Sequence, residues 1–302
     1  MKLVTVKSDG LEQACVRTSS GLVPVKKINR EFGRDWPCDM LALIRGGGLE
    51  TLNQWFRTGE RKKLEAMTSK KMKADSGRFA PLYRHPHKIW GIGLNYAEHA
   101  ADLSEKTLTG IPGSFMKPDT TIIGHGDTIY IPVQSNKTTA EAELGIIIGK
   151  ECKNISQEDW LRAVAGFTTI LDMTAEDILR QNVRYLTLSK SFNTFFSFGP
   201  DLVTPDEIEN VSKLTVSTII NGRICSKNRV ANMTFPPDFL ISFLSSVMTL
   251  LPGDIISTGT PGAVVINDGD IVECKINGFS PLKNRVKDLK VHRQPTKAKT
   301  ME

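Results

Sequence analysis

The residues best suited to chemistry lie in the segment 140–150, AEAELGIIIGK, where Glu141 and Glu143 stand two apart among small and aliphatic neighbours. Side chains of a strand alternate between its faces, so residues i and i+2 project from the same one. Two buried carboxylates converging there repel each other and lose hydration, which a raised pKa or a cation between them relieves. A divalent cation with oxygen ligands meets that need if a third ligand comes from elsewhere. Asp172 is the candidate, expected at the end of a strand over residues 165–171 and just before a helix. Oxygen-only ligation of this kind favours Mg²⁺ or Mn²⁺ over zinc. The pattern also fits an ordinary strand surface, with Asp172 as a turn residue.

Other groups with chemical potential are scattered along the chain. His99 is followed by Asp102, and a carboxylate in reach of an imidazole orients it and raises its basicity. The same spacing is common between surface neighbours. Lys190, in LSKSFNTFF, and Lys117, in SFMKP, enter apolar stretches where an ammonium stabilises an oxyanion or snorkels to solvent. In STGTPG, Thr258 and Thr260 flank Gly259, whose backbone N–H suits a substrate carboxylate and equally suits a tight turn.

The elements that must position these groups follow from patterning. The 302 residues suit a main domain of roughly 200 residues plus a smaller one. Residues 1–80 read as a small α/β module, with short β-like runs MKLVTV and GLVPVK and a helical stretch over 41–64 interrupted at Gly46 to Gly48. Residues 81–290 form the chemistry-bearing domain and 291–302 a basic tail. Capping-box spacing places helix starts at Ser156, with Asp159, and at Thr174, with Asp177. Many short strands at close spacing, with few helices, predict an α+β, mainly β domain with a rolled or barrel-like sheet.

Composition limits the function classes. With 40% hydrophobic and 24% charged residues the chain is ordinary for a globular protein. It has no apolar run of membrane-spanning length and no signal-peptide core, so the expectation is a cytoplasmic protein without membrane contact. Five cysteines (Cys15, Cys38, Cys152, Cys225 and Cys274) without a CxxC pair read as reduced thiols, neither a zinc site nor a disulfide framework. The net charge of +6 is concentrated in basic runs without aromatic interleaving. That argues against nucleic acid as a partner and suits a small anionic substrate.

In order along the chain, GIGLNYAEHAADL, FMKP, AEAELGIIIGK, LDMTAEDI, LSKSFNTFFSFGP, MTF and LLPGDIISTGTPGAV resemble the motifs of the fumarylacetoacetate hydrolase family. The resemblance covers residues 88–286. It implies a mixed β-roll catalytic domain, commonly in a homodimer, with Mg²⁺ or Mn²⁺ held at Glu141, Glu143 and Asp172. It also implies His99, Asp102 and Lys190 as catalytic groups, and Lys117, Thr260 and Gly259 as substrate contacts. The family's arginine four residues after the metal-binding aspartate is replaced here by Glu176, and Arg180 or Arg184 is the expected substitute for its charge. The implied activity is metal-dependent hydrolysis of a carbon-carbon bond in a 2-oxo acid, an acylpyruvate or β-diketo acid. Oxaloacetate decarboxylation, keto-enol tautomerisation, or a non-catalytic metal-binding sensor are the alternatives.

Overall fold

Two neighbouring strands carry the acidic residues, and the rest of the fold is arranged around them. The computed structural model describes residues 1–8, 10–19, 21–67, 79–97 and 110–291. The chain opens with β1 (Lys2–Ser8), β2 (Leu11–Thr18) and β3 (Gly21–Pro24), then α1 (Val25–Phe32), α2 (Met40–Arg45), α3 (Gly48–Trp55) and α4 (Arg61–Ala66). The strands β4 (Ile89–Gly93), β5 (Gly113–Met116), β6 (Ile122–Ile123) and β7 (Thr128–Ile131) lead to the long β8 (Thr138–Ile148) and β9 (Val164–Ala175). Two short helices, α5 (Glu176–Gln181) and α6 (Leu186–Lys190), precede β10 (Phe196–Phe198) and β11 (Asp201–Val203). The chain continues through β12 (Thr215–Ile220), β13 (Arg223–Arg229), α7 (Pro237–Val247), β14 (Ile255–Ser257), β15 (Val264–Val265), β16 (Ile271–Ile276) and β17 (Leu282–Asp288).

The strands form a twelve-stranded sheet, with main order β3-β2-β1-β11-β9-β8-β14-β4-β5, and a five-stranded sheet, β13-β12-β16-β17-β7. Among the described residues neither sheet closes into a barrel. The mainly β, α+β architecture expected from the sequence is present as two packed open sheets with helices on the outside. β1 pairs with β11, which pairs with β9, so the N-terminal strands extend the sheet that bears the acidic residues.

β8 and β9 are buried at every position. Their alternation sorts side chains onto two faces. Ala140, Ala142, Leu144 and Ile146 of β8, with Phe167, Leu171 and Met173 of β9, pack in one core with Val216 of β12 and Val272 and Cys274 of β16. On the opposite face Ile147 and Ile170 join a second core with Leu43, Ile44 and Leu52 of the N-terminal helices. The carboxylates lie on this second face, where its apolar part ends. The glycine interruption expected after residue 45 separates α2 from α3, with Gly47 in the left-handed region at φ 70°.

Three local expectations are corrected. Asp172 is inside β9, three residues before its end, and Thr174 is also a strand residue, so neither caps a helix. Asp177 accepts from Ser135 Oγ and Asn136 N in place of the expected cap partner. At Ser156 the hydroxyl accepts from Asp159 N at 3.3 Å, but the segment that follows is a single 3₁₀ turn over Trp160–Ala163. At Thr174 the pairing with β8 overrides a local helix signal.

Candidate metal centre and active site

The antiparallel register of β8 and β9 sets the geometry, because Glu141 faces Asp172, Glu143 faces Ile170 and Thr139 faces Thr174. Glu141, Glu143 and Asp172 are all buried and offer carboxylate oxygens within 4.8 Å of one another. The three ligands named from the sequence therefore converge.

Each carboxylate is oriented by specific donors. Thr174 Oγ1 donates to Glu141 Oε1 at 2.6 Å, and Thr139 Oγ1 lies 3.4 Å from the same oxygen. Ser257 Oγ and Gly259 N donate to Glu143 Oε2 at 2.6 and 2.7 Å. Lys190 Nζ spans the strand pair, 3.0 Å from Glu141 Oε2 and 2.8 Å from Asp172 Oδ2. Lys117 Nζ is bonded to the other oxygen of Asp172 and donates to the Met173 carbonyl at 3.1 Å. The ring of Phe115 lies 4.6 Å from Lys190 Nζ and covers the ammonium.

The electrostatics follow from this packing. Burial pushes the Glu143 carboxyl up to about 8, and the charges of Asp172 and Glu141 add to that, against Lys190 and the Ser257 hydrogen bond. Burial pulls Lys117 down to about 8, with the Lys190 charge acting the same way and Asp172 opposing it. Burial also acts against the Lys190 ammonium, but the facing Asp172, Glu141 and Glu143 outweigh it and hold its pKa above the ordinary lysine value. With all groups ionised, three carboxylates face two ammoniums, and one negative charge is left over. That surplus, together with an oxygen-only donor set, fits a divalent cation of the Mg²⁺ or Mn²⁺ kind.

The remaining sequence candidates are distributed as follows. Gly259 uses its N–H on Glu143. Its φ is +93°, and a Cβ there would meet Asn95 Cβ at 2.8 Å and the Ile92 carbonyl at 3.0 Å, so the turn requires glycine. Thr260 is buried, with its hydroxyl 3.1 Å from the Gly262 carbonyl inside its own turn. Arg184 is exposed and sits in a separate 3₁₀ turn, because α5 ends at Gln181 and Asn182 is extended, so the helix-face relation to Glu176 fails for it. Arg180 remains on α5 and pairs with Glu176. His99 and Asp102 lie outside the described residues. Sequence reasoning read Thr174 as a helix start and passed over Ser257, although Thr174 follows Asp172 by two residues on its strand face, a signal that strand alternation makes readable.

Fold and site together define a class, a mainly β α+β protein with a buried three-carboxylate cation centre on an antiparallel strand pair. The chain belongs to the fumarylacetoacetate hydrolase family, since residues 88–287 match the fumarylacetoacetate (FAA) hydrolase C-terminal domain. It is 36% identical over 215 residues to the mitochondrial oxaloacetate tautomerase Fahd2a of Rattus norvegicus, covering 68% of each chain. It is 32% identical over 252 residues to the mitochondrial oxaloacetate tautomerase FAHD2A of Homo sapiens, covering 78% of this chain and 80% of that one. Maleylpyruvate hydrolase from Sphingobium sp. SYK-6 superposes with a TM-score of 0.74 at 26% identity, over 95% of this chain and 100% of that one. That hydrolase has also been crystallised with manganese(II) ion and pyruvate. Among the described residues no helix is long and apolar enough to cross a membrane.

Proposed function

We propose that this chain is a divalent-metal-dependent hydrolase that cleaves a carbon-carbon bond in a 2-oxo acid of the acylpyruvate or β-diketo type. The observation that carries the reading is the buried cluster of Glu141, Glu143 and Asp172 with Lys190 and Lys117 set against it. A cation held by these carboxylates would bind the carboxylate and adjacent oxo oxygen of the substrate and act as a Lewis acid on them. Lys190 Nζ, kept protonated by its anionic neighbours, places a fixed positive charge where negative charge develops on the substrate oxygens. The family resemblance assigns to His99, with Asp102 as its acidic partner, the removal of a proton from the water that adds to the distal carbonyl. The carbon-carbon bond then breaks, and the departing carbon regains a proton. Lys117, with its pKa brought near neutrality, is suited to hand that proton on.

A second reading is supported by the relatives named oxaloacetate tautomerase. Tautomerisation moves a proton between the carbon next to the oxo group and the enol oxygen, with no water added and no carbon-carbon bond broken. The hydrolytic reading rests on the likeness to maleylpyruvate hydrolase, which extends over nearly the whole chain, N-terminal region included. Assaying acylpyruvates and oxaloacetate side by side with Mg²⁺ and Mn²⁺ separates the two. Cleavage of an acylpyruvate is expected, and keto-enol exchange of oxaloacetate without any acylpyruvate cleavage would sink the hydrolase reading.

A further inference from the structure

One sequence motif has no part in the metal centre as built so far. MTF, residues 233–235, supplies none of the donors to the carboxylates described above. These residues surround Asn95, which is fully buried just beyond β4. Phe235 N donates to Asn95 Oδ1 at 2.8 Å, and Asn95 Nδ2 donates to the Phe235 carbonyl at 3.0 Å. The Asn95 carbonyl accepts from Thr234 N at 2.8 Å, and Tyr96 forms an antiparallel bridge with Met233. Leu94, directly before Asn95, has φ 55°, a left-handed conformation that a bulky residue keeps only where its surroundings impose it.

The Asn95 amide has a second acceptor. Nδ2 also donates to the Thr258 carbonyl at 2.7 Å. That carbonyl and the Gly259 N–H belong to one planar peptide unit, in which C=O and N–H point in opposite directions. The Gly259 N–H is the donor to Glu143 Oε2. A line of hydrogen bonds therefore runs from the Asn95 amide through the Thr258–Gly259 peptide to the carboxylate. Bonds in such a chain polarise one another, so each strengthens the next. Thr258 is tied to β8, where its N and Oγ1 donate to the Leu144 carbonyl at 3.1 and 2.9 Å. Those bonds leave the rotation of the next peptide plane open, and glycine at 259 resists it little. Turned the other way, the plane would point an oxygen at Glu143 in place of a donor.

We infer that Asn95 is a positioning residue for the metal centre. Its amide fixes the Thr258–Gly259 peptide with the N–H facing Glu143, and MTF serves to hold that amide. The inference rests on the reading of Glu143 as a ligand of the divalent cation. Asn95 acts on cation binding through the intervening peptide, so its loss should weaken the cation beyond any loss of fold stability.

Calorimetric titration with Mn²⁺ tests this without relying on turnover. Asn29 supplies a control of the same chemistry, since its amide accepts from Trp36 N and donates to the Trp36 carbonyl in the N-terminal region. Asn95→Leu, close in volume, should lower Mn²⁺ affinity about three- to tenfold, while Asn29→Leu should leave it within about twofold. Glu143→Ala should abolish binding. Unchanged affinity in Asn95→Leu, with binding lost in Glu143→Ala, overturns the inference alone. Affinity that survives Glu143→Ala removes Glu143 from the centre and the inference with it. An equal loss in the two asparagine variants assigns the effect to general stability and also overturns it. If Asn95→Leu does not fold, amide NMR of the unsubstituted protein during Mg²⁺ titration decides. The Gly259 N–H and the Asn95 side-chain proton bonded to Thr258 are expected to shift together, and a shift of Gly259 alone breaks the link.

Discussion

Lys190 Nζ lies between Glu141 and Asp172, 3.0 Å from one carboxylate and 2.8 Å from the other, and ties together two strands that already face each other in register. Removing this ammonium leaves Lys117 as the one remaining cation against three buried carboxylates, and breaking a buried pair in this way typically costs about 3–5 kcal/mol. Lys190→Ala should therefore lower the metal-free melting temperature clearly, and saturating Mn²⁺ should recover part of the loss. Turnover should fall by about 10²–10³ even at saturating metal. Calorimetry with and without Mn²⁺ reads the first effect, and steady-state kinetics the second. A variant as stable and as active as the parent contradicts the placement of this charge.

Thr174, Thr139 and Lys190 all meet Glu141, the carboxylate read as a metal ligand. In the unsubstituted protein, Mn²⁺ at a hundred times its dissociation constant should stabilise the native state by about 2.7 kcal/mol. Glu141→Ala should abolish that increment. Denaturant titrations at matched Mn²⁺ concentrations check it, and an increment that survives the substitution removes Glu141 from the centre.

The acidic face of β8 and β9 was partly legible in the sequence. Two glutamates at i, i+2 in an apolar run announce a strand with one acidic face, and that inference needs nothing beyond strand alternation. Asp172 does meet the two glutamates, but for a different local reason than the sequence suggests. It looked like a strand end before a helix cap at Thr174, whereas it lies within β9 because pairing with β8 continues to Ala175. Propensity cannot report such a continuation, since the long-range partner supplies it. β1 and β3 coincide with the runs MKLVTV and GLVPVK, whereas β2 between them was not expected, and the addition of these strands to the main sheet through β11 depends on a pairing about two hundred residues away in sequence.

Gly259 combines a left-handed φ, a contact with Asn95 that leaves no room for a side chain, and an N–H given to Glu143. Gly259→Ala must shift this turn, and Glu143 loses its aligned donor with it. A stability loss of about 1–3 kcal/mol is expected. The apparent Mn²⁺ affinity should drop about tenfold or more, as for loss of an orienting partner of a metal ligand. Serine or alanine at this position with unaltered metal affinity, measured by direct titration, would show that Glu143 does not depend on the turn.

His125, whose partners are Lys283 and Phe79, gives a pH signature. Its ring nitrogen accepts from Lys283 N at 3.2 Å. Burial lowers its pKa, with the charges of Lys283 and Arg17 acting the same way and the Pro281 carbonyl and Asp201 opposing. The native state therefore disfavours the proton and the unfolded state binds it more readily, so His125 contributes stability above the ordinary histidine value. That contribution is lost as pH falls below about 6.5 towards the depressed native value. Urea midpoints between pH 7.5 and 5.5 should fall less steeply for His125→Gln than for the parent. Parallel curves for the two proteins would mean that His125 titrates alike in both states.

The register of β8 with β9 also has a consequence for folding. A slip of one residue would turn every side chain of a strand to the other face. Glu141 and Glu143 would then point among Phe167, Leu171, Val216 and Val272, without Lys190 or the threonine hydroxyls to meet them. Burying two unpaired carboxylates there is strongly unfavourable, whereas an all-apolar strand pair would tolerate the slip far better. The charges that define the centre thus act as proofreaders of strand alignment. A sheet that assembles out of step rejects itself before any ligand arrives.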